Sequence, residues 1–204
     1  MPKFTEAEKE KIKLEIMDIA HQCFIAKGLK NTSIEEITSA VSIAKSSFYV
    51  FFESKEMLYL KLLEHEGQEI EKKVWPKVKK AKDVPSAIKI YLHAMALELE
   101  SKVLTQRLIT NLEEYNLVAR KVDQKYTATN TLRSIVPLME FIKKNKELKN
   151  LINEEVEVIA GVIRATLAMV IHKRDASEET YPKIQEILFN AVANELTNKA
   201  LRSE

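Results

Sequence analysis

Glycine is nearly absent from this chain, with three in 204 residues, and proline is little commoner, with five. So few backbone breakers exclude a fold made of many short strands and tight turns, and no alternating Val, Thr and Tyr run of convincing length suggests a sheet. A single cysteine, Cys23, rules out an intrachain disulfide. It falls on the apolar face of the first helix and reads as a small buried hydrophobe. Long hydrophobic runs are missing too. The most apolar stretch, 158 to 171, is shorter than the roughly 20 residues a membrane span needs and contains Arg164. The N-terminus, Met-Pro-Lys-Phe-Thr-Glu, lacks the apolar centre of a secretion signal, so a cytoplasmic location is expected. Charge of one sign is not in excess either: 32 Lys and Arg face 30 Asp and Glu, a net of +2.

What is present is helical periodicity. With 46% hydrophobic and 30% charged residues, the chain can bury one sizeable core plus a small satellite. Thr5 and Glu8 form a capping box that opens a first helix, with Ile12, Ile16, Ile19, Ala20 and Cys23 on one face and Gly28 as its stop. Ser33 and Glu36 form a second box, so another helix begins near Ile34, with Ile37, Ala40 and Val41 on its inner side. Further apolar anchors, Ile43, Phe48, Phe51 and Phe52, follow only after Ser42, so the chain turns between them. Ser54 caps the next helix. Two short amphipathic helices joined by a turn of about three or four residues are the geometry of a DNA-reading helix-turn-helix, whose second helix enters the major groove.

Several spacings in this region agree at once with a known family. Ile16, Ala20, Phe24 and Gly28, then Ser33-Ile34 and Ile37, Tyr49, and Phe52 with Ser54-Lys55-Glu56 and Leu58 make the chain resemble the TetR family of one-component transcriptional repressors over roughly its first quarter. The resemblance implies an all-α protein: a three-helix DNA-binding domain over residues 1–53, then a helical ligand-binding and dimerisation domain over 54–204, about nine helices in all. It also implies a homodimer on a pseudo-palindromic double-stranded operator and release by a small-molecule effector. Where the family has Ala-Gly-Val and then Ser, this chain has Val41-Ser42-Ile43-Ala44. Without glycine the turn must accept strain, and Ser42 is expected to cap the recognition helix and start it slightly early. Ser46 stands for a common Gly and Phe51 for a common His.

Residue chemistry gives the candidate DNA contacts. Lys45, Ser46 and Ser47 at the start of the second helix can donate to base edges or phosphates without filling the groove, and Phe51 lies beside them. Tyr49, Lys55 and the Ser33 helix start are candidates for phosphate. Alone, each would read as a solvated charge, a cap or a half-buried ring; the shared spacing argues otherwise. Residues 1–60 hold eight Lys against nine acidic residues, so non-specific affinity should be modest, although Lys3, Lys9, Lys11 and Lys13 gather at the start of helix 1.

Downstream, a long helix from Lys55 is expected to end or kink at Pro76, and Asp83 with Pro85 to open the next, with Tyr91 and Met95 on its stripe. Helices are then expected over 103–111 and 113–146, the latter bent at Pro137, over 154–173, and from Tyr181. The last two are apolar on most of their circumference, which calls for partners on two sides. A symmetric mate would be met through Val162, Ala165, Met169, Ile184, Leu188 and Val192. An effector pocket, as the resemblance implies, would be lined by Trp75, Tyr91, Met95, Tyr115, Tyr126, Met139, Phe141 and Met169, with His93, Arg107 or Asn130 as polar anchors. No metal-ligand spacing, His-Glu-x-x-His arrangement or Gly-rich phosphate loop occurs, so neither cofactor nor enzyme is expected. A helical interaction or scaffold module whose DNA binding has decayed is the alternative left open.

Overall fold

Several helix starts in this chain are set by side-chain caps, at Thr5, Ser33, Ser54, Asp83 and Asn111. The structure is a computed structural model whose described residues are 5–121, 135–144 and 156–197, and no strand occurs among them. The order is α1 (Glu6–Asn31), α2 (Ile34–Ala40), a 3-10 segment (Lys45–Val50), α3 (Lys55–Val78), α4 (Val84–Ser101), α5 (Val103–Thr110), α6 (Leu112–Ala119), α7 (Val136–Lys144), α8 (Val156–Leu167), a second 3-10 segment (Ala168–Asp175) and α9 (Thr180–Thr197).

Two compact units result. The first joins the residues up to Glu66 with Val103–Asp123; the second joins Gly67–Lys102 with the residues from Gln124 onward. In the first unit Ile16, Ala20, Phe24, Ile37, Phe48, Leu58, Tyr59 and Leu104 are fully buried, and the Phe24 and Tyr59 rings lie 5.2 Å apart. Each large apolar side chain removed from water contributes about 1.5–3 kcal/mol. In the second unit one continuous core runs from Ile70, Val74 and Val78 of α3 through Ile88, Tyr91 and Leu92 of α4 to Leu138, Ile159, Ile163 and Phe189. No helix among the described residues is long and apolar enough to cross a membrane.

Most expected caps are present. The Thr5–Glu8 box is complete. Ser54 Oγ accepts from the Met57 amide at 3.2 Å, and Asp83 accepts from Ser86 N at 2.8 Å, with Pro85 in the first turn of α4. Six expectations need correction. The Ser33 box is only half formed: its hydroxyl accepts from Glu36 N at 3.1 Å, but the Glu36 carboxylate takes Lys27 at 2.6 Å instead of reaching back. Pro76 does not end α3, which continues two residues further to Val78. The helix expected over 113–146 is not continuous, because α6 ends at Ala119 in a turn at Arg120 and Lys121, and Pro137 sits in the first turn of α7, where a missing N–H is harmless. Likewise the helix expected over 154–173 changes to 3-10 at Ala168.

Ser42 is the fifth. It does not cap the recognition segment, whose N-cap is Ala44 with no side-chain bond. Instead Ser42 adopts φ 57 and closes α2: its amide donates to Ser39 O at 3.1 Å and the Ile43 amide to Thr38 O at 3.0 Å, the paired bonds of a Schellman end. A residue committed to the left-handed turn cannot also turn its hydroxyl to the following helix. Gly28 makes the other excursion, at φ 82 and ψ 169, so α1 breaks there and runs one more turn to Asn31 rather than stopping.

These two positions should respond oppositely to substitution. S42G removes a left-handed penalty of about 1 kcal/mol and should raise the urea midpoint at unchanged slope. G28A forces a side chain into a region open essentially only to glycine and should cost roughly 2 kcal/mol or more in the same measurement.

Candidate nucleic-acid interface

Phe48 is the hinge of the candidate interface. It is completely buried, with the Phe52 ring 5.8 Å away and the Tyr49 ring edge-on at 5.6 Å. The aromatic underside anchors a 3-10 turn whose upper side faces water. Lys45 and Ser46 are exposed, Ser47 half-buried, Tyr49 57% exposed and Phe51 half-buried. The unburied Tyr49 phenol lies on the solvent side of the same short turn that buries Phe48. An outward surface of hydroxyls, one ammonium and one phenol is what base edges and phosphates can meet.

The supports of this surface lie on either side. Ser33 is exposed at the start of α2. Lys45 Nζ lies 3.5 Å from Glu35, an open ion pair that binding can exchange for a phosphate. Lys55 is placed differently from the reading as a phosphate anchor. Its ammonium donates to Thr32 O at 2.6 Å and Lys30 O at 3.4 Å, closing the end of α1, and burial lowers its pKa. Of the basic cluster expected at the start of α1, Lys9 pairs with Glu6, Lys11 with Glu15 and Lys13 with Glu10, and Lys3 lies outside the described residues.

Elsewhere in the first unit is a buried polar network that sequence reasoning did not find. Glu114 of α6, 3% exposed, accepts from Leu29 N at 3.3 Å, Arg107 Nη2 at 2.6 Å and the Tyr59 hydroxyl at 3.1 Å. Burial pushes the Tyr59 phenol above its ordinary range, and Glu114 adds to the shift. The hydrogen bond to Glu114 likewise raises Arg107. A second buried carboxylate, Glu66, accepts from Thr105 N at 3.1 Å and Thr105 Oγ1 at 2.7 Å, with His21 Nε2 at 3.4 Å. Only an acidic residue at an apolar helical position could have hinted at either group.

In the second unit, Trp75, Tyr91, Met95, Met139, Phe141 and Met169 share one core, with the Trp75 and Tyr91 rings 5.5 Å apart. Tyr126 and Asn130 lie outside the described residues. Two other expected pocket residues are elsewhere: Tyr115 is 52% exposed on α6, and Arg107 belongs to the Glu114 network, both in the first unit. His93 instead borders a cavity of about 510 Å³ together with Leu97, Glu100, Lys173 and Gln185. On the helices expected to dimerise, Ala165, Ile184 and Ile187 are exposed, and Val162, Met169, Leu188 and Val192 are half-buried.

The first unit thus carries a helix-turn-helix arrangement with a buried aromatic underside, and no strand occurs among the described residues of either unit. Residues 16–62 match the model for bacterial regulatory proteins of the tetR family. Over 57 residues it is 44% identical to the uncharacterized HTH-type transcriptional regulator YuxN of Bacillus subtilis (strain 168). That stretch is 28% of this chain and 19% of YuxN, so the chain spans about a fifth of that relative's length. The whole fold is similar to a TetR family transcription regulator from Marinobacter aquaeolei VT8, with TM-score 0.66, 14% identity, and 96% of this chain and 100% of that one covered. It is also similar to AibR in complex with isovaleryl coenzyme A and operator DNA, with TM-score 0.52, 16% identity, and 91% and 98% covered. At such identities the likeness is one of fold.

Proposed function

We propose that this protein is a ligand-responsive transcriptional repressor that grips a pseudo-palindromic operator as a homodimer and lets go when a small, largely apolar effector binds. The reading is carried by one observation: Phe48 is fully buried while Lys45, Ser46 and Tyr49, one to three residues away, face water. Ser46 and Ser47 read base edges, and Lys45, Tyr49 and the Ser33 end of α2 hold phosphates, with Phe51 against the backbone. Lys55 acts from behind, by fixing the end of α1 on which α2 starts.

Dimerisation is supported by the apolar faces left open on α8 and α9. Val158 is 45%, Ile184 43% and Ile187 72% exposed, beside exposed Ala165. Three large aliphatic side chains in water on adjacent helices are an association surface, and a twofold mate presents the same residues in return. An effector site between α3, α4 and α7 is supported by the Trp75, Tyr91, Met95 and Met139 cluster and by the buried Trp75 indole N–H, which has no hydrogen-bond acceptor among the described residues. A mostly apolar molecule carrying one acceptor suits that lining. Release requires only that the effector favour a spacing of the recognition segments that misfits the operator.

Selection from a random duplex pool, followed by titration across salt concentrations, tests the proposal. Enrichment of an inverted repeat supports it. Absence of enrichment, with tight binding of a helical peptide, would favour a scaffold module. K45A should weaken binding to the selected duplex and flatten the slope of log affinity against log salt by about one. I187E puts a charge at the centre of the apolar face and should shift the protein from dimer to monomer in sedimentation velocity, with loss of operator binding. A monomeric wild type at micromolar concentration would contradict the dimer.

A further inference from the structure

Helix α1 cannot pass Gly28 without a break, and the break strands a donor. At φ 82 and ψ 169 the chain leaves helical geometry, so the Leu29 amide has lost its helical acceptor while both Gly28 and Leu29 are buried. An unpaired amide there would cost much of a hydrogen bond. The acceptor is supplied from far along the chain: Glu114 Oε1 stands 3.3 Å from Leu29 N. The fit is tight. A Cβ on residue 28 would come within 2.3 Å of both Glu114 Oε1 and Arg107 Nη2, so the missing side chain makes the seat for the pair.

We propose that Glu114 is a positioning residue for DNA binding: its carboxylate, delivered by α6, fixes the turn of α1 beyond Gly28 and, through it, the start of α2 and the recognition segment. The proposal rests on the DNA-binding reading above. The chain of contacts is continuous. Glu114 holds Leu29; the Thr32 hydroxyl donates to Gly28 O at 2.8 Å; Lys55 clamps the carbonyls of Lys30 and Thr32; and Ser33, the next residue, caps α2. The Glu113–Lys30 pair at 2.6 Å is no part of this series: both side chains are exposed, and a solvated pair of that kind holds little. Nothing in this series reaches solvent at Glu114 itself, so the carboxylate acts through the backbone it holds and not by touching DNA. Arg107 and the Tyr59 hydroxyl aim it by donating to its two oxygens, the hydroxyl shared with Leu104 O at 3.2 Å.

The test measures specific and non-specific affinity separately. Wild type, E114Q, the double variant R107M/E114M and the surface control E113A are titrated by fluorescence anisotropy against the duplex recovered from wild-type selection and a scrambled duplex of equal length. All are held where circular dichroism shows them fully folded. E114Q keeps the shape but not the charge, and R107M/E114M replaces a buried pair by apolar side chains of similar length, a change that commonly preserves folding. Both should lose roughly tenfold in affinity for the selected duplex, the worth of one charge-assisted hydrogen bond, and keep their affinity for the scrambled one. Faster hydrogen exchange at the Leu29 amide should accompany the loss, and E113A should match wild type in all three readings. Folded variants that bind the selected duplex as wild type does, or that lose both duplexes equally, overturn the proposal. A wild type that enriches no sequence sinks the DNA-binding reading itself, and that result is read before any variant is made.

Discussion

An amide buried at a break in a helix must find an acceptor, and much of the first unit is arranged around that requirement. Gly28 allows α1 to change direction at φ 82; the Leu29 amide this strands is met by the Glu114 carboxylate, and the carboxylate in turn needs Arg107 and Tyr59. A buried carboxylate without donors would be costly, so one backbone excursion commits residues from α3, α5 and α6. That is why α5 and α6, which follow Lys102 in sequence, belong to the same compact unit as α1. Glu66 repeats the logic at the start of α5, where it accepts from the Thr105 amide and hydroxyl, with the His21 imidazole beside it.

Electrostatics sharpen the functional reading. Residues 1–60 carry slightly more acid than base, and the lysines at the start of α1 are already paired with glutamates. Bulk attraction to a polyanion is therefore small, and discrimination has to come from where a few donors are placed rather than from how many cations are present. A protein of this kind depends on the rigidity of its reading surface more than a strongly basic one does. The buried aromatic underside at Phe48 and Phe52 supplies part of that rigidity.

Much of this was legible in the sequence. Caps were, because they rest on local side-chain chemistry: Thr5 with Glu8, Ser54 and Asp83 all stand at helix starts where their hydroxyl or carboxylate meets a nearby amide. The two sides of residues 45–52 were, because Phe48 and Phe52 mark a buried side and Lys45 and Ser46 an open one. What failed were judgements that needed a third partner. Glu36 completes a box on paper, yet Lys27, nine positions earlier, draws its carboxylate away. Lys55 looked like a phosphate anchor until the carbonyls ending α1 were seen beside it. Arg107 looked like a pocket anchor, and its partner turned out to be seven residues on, against a glycine from α1. Pro137 sits one position inside a helix start instead of in a bend, which periodicity alone cannot distinguish.

The same lesson bears on α2. Seven residues are too few to hold a helix by themselves, since nucleation costs more than so short a run of hydrogen bonds returns. Its direction is therefore imposed at its two ends. On one side stand the Ser33 cap and the turn beyond Gly28, tied down by Glu114; on the other, Ser42 accepts a left-handed conformation so that Ile43 and the recognition segment can follow. Both ends depart from ordinary helical backbone, and each departure is stabilised by different partners, a buried ionic network in one case and a pair of backbone hydrogen bonds in the other. Orientation of the reading surface is thus fixed by the joints and not by the short elements between them.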